Sequence, residues 1–369
     1  MAKFLILKTG ALGDLSFLLP AVDQIRKRDP QARITWIVGN TYAALLRKHP
    51  GIQQVITVNE KNLFHKSIFL RCYEALKLWL HLDSRYDQIW IGHRTLSALL
   101  LLRLRVFGKI YQLTRAPSPL LSFFRNEVMI PPLSTQEGLG FKKLTEKALQ
   151  CSITLPDWQE ADTSWIPSYC GLQPQESHRP AIVIHVGGGA NQKTEFELKK
   201  WPHWGHFLRE LARTTSDDII LVGAPNEQDE IQRIFATLES PNTQDTKNIK
   251  DTQLLIQKRL ISQVGKTSIL ELLSLLKSAK FFIGVDSGPL HWADSFGIPS
   301  IGIYGPTSSI SWGLLGKKSR VLFHSVPCSP CYRDNGIFPI CSFHHRCMTD
   351  LSPKAVMDLF VNSMLSLKE

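Results

Sequence analysis

No apolar run in this chain reaches the roughly 18 residues that a membrane-spanning helix requires. The first residues go directly into a strand-like run, Lys3-Phe4-Leu5-Ile6-Leu7-Lys8. The basic region, apolar core and small-residue cleavage site of a secretory signal are missing. These absences set the expectation of a cytoplasmic protein. The G-x-G-x-x-G fingerprint of dinucleotide binding is also missing, because the loop Thr9-Gly10-Ala11-Leu12-Gly13-Asp14 spaces its glycines G-x-x-G. Neither a helix-turn-helix pattern nor an RNA-binding aromatic signature occurs, so nucleic acid ranks last among expected partners. There is no internal repeat and no low-complexity segment. What remains is an ordinary globular composition, 43% hydrophobic and 20% charged, in 369 residues, long enough for two domains with separate cores.

Positive charge is present and unevenly placed. The formal net charge is +11, and residues 1–130 hold 19 Lys and Arg against 8 Asp and Glu, whereas the remainder holds 24 of each. The densest part runs from Lys61 to Arg125, where Lys66, Arg71, Lys77, Arg85, Arg94, Arg103, Arg105, Lys109 and Arg115 interleave with Leu, Phe and Trp. Such a surface attracts phosphates, and anionic lipid headgroups are one source of them. A solvated face that keeps the protein soluble is the plainer reading.

The hydrophobic pattern alternates strand and helix. Strands are expected at 4–7, 34–38, 54–58, 88–91 and 109–112, with helical periodicity at 42–48 and 68–82 between them, the rhythm of a parallel sheet covered on both faces. Residues 151–180 lack periodicity and carry Pro156, Pro167, Gly171, Pro174 and Pro180, which reads as a linker. A second series begins at 181–186, with a helix near 203–214, a strand at 218–222, a polar loop at 239–253, a short strand before Gly265 and a helix at 268–277. The tail 352–367 opens with Ser352 and Pro353, an N-cap and first-turn signature. The expected organisation is a domain over 1–165, a second over 178–351 and a terminal helix over 352–369. Two α/β domains facing one another would form a cleft.

Several strand ends carry polar groups. Phe281-Phe282-Ile283 leads into Gly284-Val285-Asp286-Ser287-Gly288-Pro289-Leu290-His291, which reads as strand, turn and helix start; backbone amides at such a turn suit an anionic phosphate. His185-Val186-Gly187-Gly188-Gly189 can bring amides close to a phosphate, Lys199-Lys200-Trp201-Pro202 offers cations, and Glu227 ends another strand with an acid suited to a ribose diol. Together they outline a nucleotide-diphosphate pocket. At the other end of the chain, Asp14 sits at the mouth of a helix, where position alone favours a capping or first-turn acid.

The chain resembles glycosyltransferase family 9, the ADP-heptose:lipopolysaccharide heptosyltransferases, over nearly its full length. The resemblance rests on Leu12-Gly13-Asp14 with Leu19-Pro20-Ala21, on Lys199-x-Trp201-Pro202, on Gly265-Lys266-Thr267-Ser268, on Asp286-Ser287-Gly288-x-x-His291, and on Tyr304-Gly305-Pro306-Thr307. It implies a GT-B fold: two Rossmann-like α/β domains with parallel sheets, acceptor on the first and nucleotide-sugar on the second, the last helix crossing back to the first. It implies an inverting transfer of heptose from ADP-heptose to a lipopolysaccharide core at the inner membrane surface. Asp14 would be the general base and Lys199 would stabilise the leaving diphosphate, with no cofactor or catalytic metal required. Gly188, Glu227, Thr267, Asp286, Ser287, Gly288 and His291 fall at donor-side positions, Lys8 and Gly13 at acceptor-side ones. A relative that glycosylates a protein or another envelope glycan, or a nucleotide-binding pseudoenzyme, is the alternative. Thr9-Gly10-Ala11 lacks the Ser/Thr pair of some relatives, and the loop 190–198 is longer.

Cysteine is sparse except at one place. Cys72, Cys151 and Cys170 are scattered, but Cys328, Cys331, Cys341 and Cys347 fall as C-x2-C-x9-C-x5-C. That spacing allows a structural zinc or iron site, although the second CxxC of a zinc ribbon is missing. Reduced thiols packing a loop, or a disulfide formed on isolation, are the other readings.

Overall fold

The computed structural model describes residues 1–63, 67–93, 106–114, 126–129, 136–167, 181–188, 197–239, 258–332 and 338–367. They form two compact units, Met1–Ile166 and Pro167–Glu369. Each contains a six-stranded sheet whose described pairings are all parallel.

In the first unit the strands are β1 (Lys3–Leu7), β2 (Arg33–Gly39), β3 (Gln54–Val58), β4 (Arg85–Ile91), β5 (Phe107–Thr114) and β6 (Asn126–Met129), in the order β3-β2-β1-β4-β5-β6. The inner strands are continuous apolar runs because helices cover both sheet faces: Leu5, Ile6, Ile34, Ile37 and Ile89 are wholly buried. The order reverses between β1 and β4, so the crevice at their carboxyl ends is the topological switch point where such sheets bind ligands. Leu12–Leu18 and Pro20–Arg28 form helices after β1, with Pro20 at the first position of the second, where its missing N–H has no partner to lose. The helix Ile68–His81 covers the other face, placing Leu78 and the following Leu82 against Leu5, Leu7 and Ile37. The segment read as a linker is ordered in its first half. Thr154 caps a short helix, Leu155–Gln159, that buries Trp158, and the Asp162 amide donates to Asp23 at 2.8 Å. Apolar residues too few for periodicity still suffice to pin that half down. Residues 168–180 lie outside the described residues.

The second unit repeats the plan with β7 (Ala181–His185), β8 (Asp218–Val222), β9 (Leu260–Ser262), β10 (Phe281–Val285), β11 (Ser300–Tyr304) and β12 (Arg320–Phe323), ordered β12-β11-β10-β7-β8-β9. Its switch point lies between β7 and β10. Ser268 and Glu271 form a reciprocal capping box at the start of the helix Ile269–Lys277. Trp201 is fully buried against Trp204 and Phe207 and donates its Nε1–H to the Leu351 carbonyl at 2.8 Å. The final helix, Pro353–Ser366, for which the resemblance implies a path to the first domain, buries Val356, Met357 and Phe360 in the core of the second unit, with Phe360 packed edge-on to Phe281.

Candidate active site

Polar clusters occupy the switch point of each unit. In the first, Lys8 continues β1 into the sheet's carboxyl edge and is 8% exposed, with its Nζ 2.8 Å from Asp14 Oδ2. Lys8 also donates to the Gly92 carbonyl at 3.2 Å, just beyond β4, so one side chain ties together the two strands that flank the crevice. Asp14 is the third residue of the helix Leu12–Leu18 and accepts the Ala11 amide at 3.1 Å. The helix-cap role is therefore real, but it uses only part of the carboxylate, which remains one-fifth exposed. Burial alone would push the Asp14 pKa up; the Lys8 charge, the Lys8 hydrogen bond and the Ala11 amide outweigh it, and the carboxyl lies below its usual range. Gly13 is buried in the same turn, and its carbonyl accepts the Ser16 hydroxyl at 2.7 Å.

His93 follows β4 into this crevice, and sequence patterns give no hint of it. The Thr9 amide donates to its Nε2 at 3.0 Å across 84 residues of chain. In the same unit the Gly51 amide donates to Nδ1 of the buried His49 at 3.1 Å. A ring nitrogen that accepts a backbone N–H cannot take a proton without breaking that bond. Burial first, then nearby Lys8 at His93 and Arg26 at His49, pull the two pKa values down from 6.5, to about 3 and about 4. Because the folded values lie below the unfolded ones, this stabilisation is complete above pH 6.5 and is lost as pH falls through the folded values. Each group then adds about 1.4 kcal/mol per pH unit to the slope. The expected result is a melting temperature that falls steadily on acidification below pH 6.5, with a shallower fall in His49→Gln. A melting temperature flat down to pH 4 would contradict it.

In the second unit Asp286 follows β10 and is the hub of a buried cluster. Lys199 Nζ lies 2.9 Å from its Oδ2 and donates to its backbone carbonyl at 3.1 Å, and His291 Nε2 lies 3.0 Å from Oδ1. Burial opposes ionisation, but Lys199 and His291 overcome it and hold the Asp286 carboxyl far below the carboxylate range. The neighbouring Lys200 points elsewhere, to Glu230 at 3.3 Å. The geometry thus separates the two neighbouring lysines, as the resemblance through Lys199-x-Trp201-Pro202 implies. Two residues on, the buried Trp201 anchors this segment; truncating such a side chain costs roughly 3–5 kcal/mol. Ser287 is the N-cap of the helix Gly288–Ser295, whose first-turn amides point out of the sheet's carboxyl edge.

A second buried chain crosses the same switch point. His185, at the end of β7, lies 2.9 Å from Ser287 Oγ through Nδ1 and 3.2 Å from Glu227 Oε2 through Nε2. A carboxylate only accepts, so Nε2 carries the proton, and in the neutral ring Nδ1 accepts the Ser287 hydroxyl. Glu227 also accepts the Ala224 amide at 2.7 Å. It packs so tightly over Gly187 that a Cβ there would come within 1.7 Å of Oε1. Gly187 is needed for that approach, and the strand-end glycines thereby serve the acid as well as any phosphate. Thr267 is half-buried in the turn after β9, where the Gly265 amide donates to the Gly223 carbonyl at 2.9 Å beside the Glu227 loop. Gly188 is buried just past β7, while residues 189–196 lie outside the described residues. Every donor-side residue singled out in the sequence is therefore in this unit, at carboxyl ends of strands or in the turns and helix starts beyond them, and His185, read in the sequence only as part of a glycine-rich strand end, joins them through its side chain.

The cysteine cluster behaves differently. Burial and the neighbouring thiols Cys328 and Cys341 raise the Cys331 pKa, and burial with the other three sulfurs raises that of Cys347 to about 12. Residues 333–337 between them lie outside the described residues. Among the described residues no group of three His, Cys, Asp or Glu side chains is disposed to hold a metal ion. The structural zinc or iron that the spacing allows finds no ready ligand set among the described residues.

Comparison with known proteins gives the family. The model of "Glycosyltransferase family 9 (heptosyltransferase)" matches residues 76–339. Lipopolysaccharide heptosyltransferase 1 of Pseudomonas aeruginosa is 22% identical, with 96% of each chain covered. The enzyme of the same name from Escherichia coli K12 is 24% identical over 86% of this chain and 92% of its own. Among solved structures, E. coli heptosyltransferase WaaC with ADP superposes with a TM-score of 0.68 at 20% identity, covering 98% of this chain and 99% of that one. A family 9 glycosyl transferase from Veillonella parvula gives 0.69 at 17% identity, covering 99% and 98%. The two parallel-sheet units are those of the GT-B heptosyltransferases. With a family match over most of its length, this chain belongs to glycosyltransferase family 9 and is a glycosyltransferase.

Proposed function

We propose that this enzyme transfers heptose from ADP-heptose to a lipopolysaccharide core with inversion at the anomeric carbon, at the cytoplasmic face of the membrane that holds the acceptor. The relatives named above are lipopolysaccharide heptosyltransferases, and one solved neighbour holds ADP. The observation that carries the mechanism is Asp14: an ionised carboxylate, partly open to solvent, at the switch point of the first unit. An inverting transfer needs one base to accept the proton of the acceptor hydroxyl as its oxygen attacks the anomeric carbon. Lys8 and the turn at Gly13 line that position on the acceptor side.

The bond from the anomeric carbon to the diphosphate breaks as the new one forms, and negative charge grows on the leaving ADP. Lys199 and the amides after Ser287 supply positive potential where that charge develops, pre-oriented by Asp286 and His291. Glu227 takes the ribose hydroxyls and Thr267 the adenosine side, with Gly188 and Gly288 allowing close approach of the phosphates. Thermal-shift titration with ADP, UDP and GDP tests the donor reading. ADP at a hundred times its Kd is expected to add about 2.7 kcal/mol of stability, with UDP and GDP far less effective. A preference for UDP or GDP would replace the donor, and no stabilisation by any of them would overturn the reading.

A further inference from the structure

The helix Ile68–His81 is apolar on the side that ought to be polar. Its inward residues, Ala75 and Leu78, pack toward the sheet. On the opposite side Phe69, Tyr73, Leu76 and Leu80 recur at intervals of four, three and four, which aligns them in one stripe on a helix of 3.6 residues per turn. They are 83%, 62%, 56% and 76% exposed. Beyond the helix end, the exposed Phe107 extends the patch, its amide donating to the Ser84 carbonyl at 2.9 Å. The outer face of a helix on a globular domain is ordinarily charged, and a contiguous apolar surface of this kind marks an interaction site.

The surrounding charge selects the partner. Arg71, Lys77 and Arg85 are exposed on this part of the unit, Lys77 beside the stripe, Arg71 in the first turn on the row that leads to Glu74 and Ala75, and Arg85 past the helix end. Glu74, the one acid in the helix, is turned inward and accepts the Asn59 amide at 2.7 Å. The outer face of the helix itself therefore carries no carboxylate, and the exposed Asp83 just past its end is paired with Lys3 at 2.7 Å, within the third of the chain that holds the whole positive excess. We propose that this face docks on an anionic lipid bilayer, the stripe entering the boundary between headgroups and acyl chains and Lys77, with the exposed cations at the helix ends, meeting headgroup phosphates. That is how an interfacial helix binds: apolar burial and electrostatic attraction act together.

Topology gives the docking a consequence. The helix returns the chain from the carboxyl end of β3 to the amino end of β4, so its first turn, with Phe69, lies at the sheet edge where Asp14 follows β1. Docking brings that edge to the lipid surface. The surface stands on its own observations; only its purpose, access to a membrane-held acceptor, rests on the function proposed above.

Flotation of the full-length protein with phosphatidylcholine vesicles, with and without phosphatidylglycerol, tests the proposal. Binding is expected only with the anionic lipid and should weaken with salt. The triple variant Phe69→Ser/Leu76→Ser/Leu80→Ser should lose roughly tenfold or more in partitioning, and Arg71→Glu/Lys77→Glu should lose it as well. Because these side chains are exposed, the variants should keep the wild-type melting temperature; transfer to a detergent-dispersed acceptor should also be unchanged, while transfer to acceptor in vesicles falls. Undiminished vesicle binding by the triple variant would overturn the proposal. So would a wild-type oligomer that the triple variant dissociates without any vesicle binding, since the face would then join copies of this chain. Vesicle binding without sugar transfer to either acceptor would instead count against the proposed function and leave the docking face standing.

Discussion

Asp14→Asn is expected to lower turnover by about three orders of magnitude, the middle of the range for loss of a general base, while leaving ADP affinity unchanged. The amide keeps the size of the carboxylate and can still accept the Ala11 N–H, so the helix start survives. What it cannot do is take a proton from the acceptor hydroxyl. Lys8 keeps its bond to Gly92 and loses its counter-ion, so a modest fall in melting temperature accompanies the loss. The ion pair makes a second outcome specific. Lys8 holds the Asp14 pKa down; removing that cation in Lys8→Met should raise it and move the acid limb of the pH–rate profile to higher pH. A change in rate with no change in the profile would mean that Lys8 acts on the acceptor alone. Full turnover by Asp14→Asn would remove Asp14 from the chemistry.

Lys199→Ala is expected to abolish the thermal shift produced by ADP and to lower kcat/KM by roughly 10²–10³-fold, the scale seen when a preorganised charge-stabilising group is lost. The side chain is 11% exposed and makes two bonds to one residue, Asp286, which leaves the ammonium little freedom to settle elsewhere. Removing it also leaves Asp286 with His291 as its remaining described side-chain partner, and breaking a buried pair by deleting one member costs about 3–5 kcal/mol. The second unit should therefore melt earlier. Lys199→Arg should not restore activity, because a planar fork cannot reproduce two bonds from a single nitrogen in a closed slot. If Lys199→Ala keeps the ADP shift, the diphosphate lies elsewhere and the donor assignment fails with it.

The two-sheet architecture was legible because parallel strands buried on both faces are short apolar runs with polar, glycine-rich ends. Phe281–Val285 followed by Asp286-Ser287-Gly288 announces strand, turn and helix in one stretch, and the structure brings Lys199 to that turn. The helix Glu137–Leu149 was not legible: Gly138 and Gly140 break its first turn, and burial against the helices after β1 compensates for their poor propensity. His93, and the side-chain role of His185, escaped for a different reason. Each acts through partners 42 to 102 residues away in sequence, joined only by the crossover of a parallel sheet. Local pattern carries no trace of such contacts. The cysteine spacing does announce a cluster, since the four sulfurs lie near enough to act on one another's pKa, but among the described residues no group of three is disposed to hold a metal ion. The outward stripe of Ile68–His81 was half visible: its periodicity predicts a helix, but only exposure tells which apolar face is inside.

The measurement that bears most directly on the whole account follows labelled heptose from ADP-heptose. The purified enzyme is incubated with the donor and a lipopolysaccharide core that lacks heptose, and both the acceptor and released ADP are quantified. The expected result is label in the acceptor, one ADP released per sugar transferred, and inverted configuration at the new linkage. ADP release without labelled acceptor, or no release at all, would contradict it.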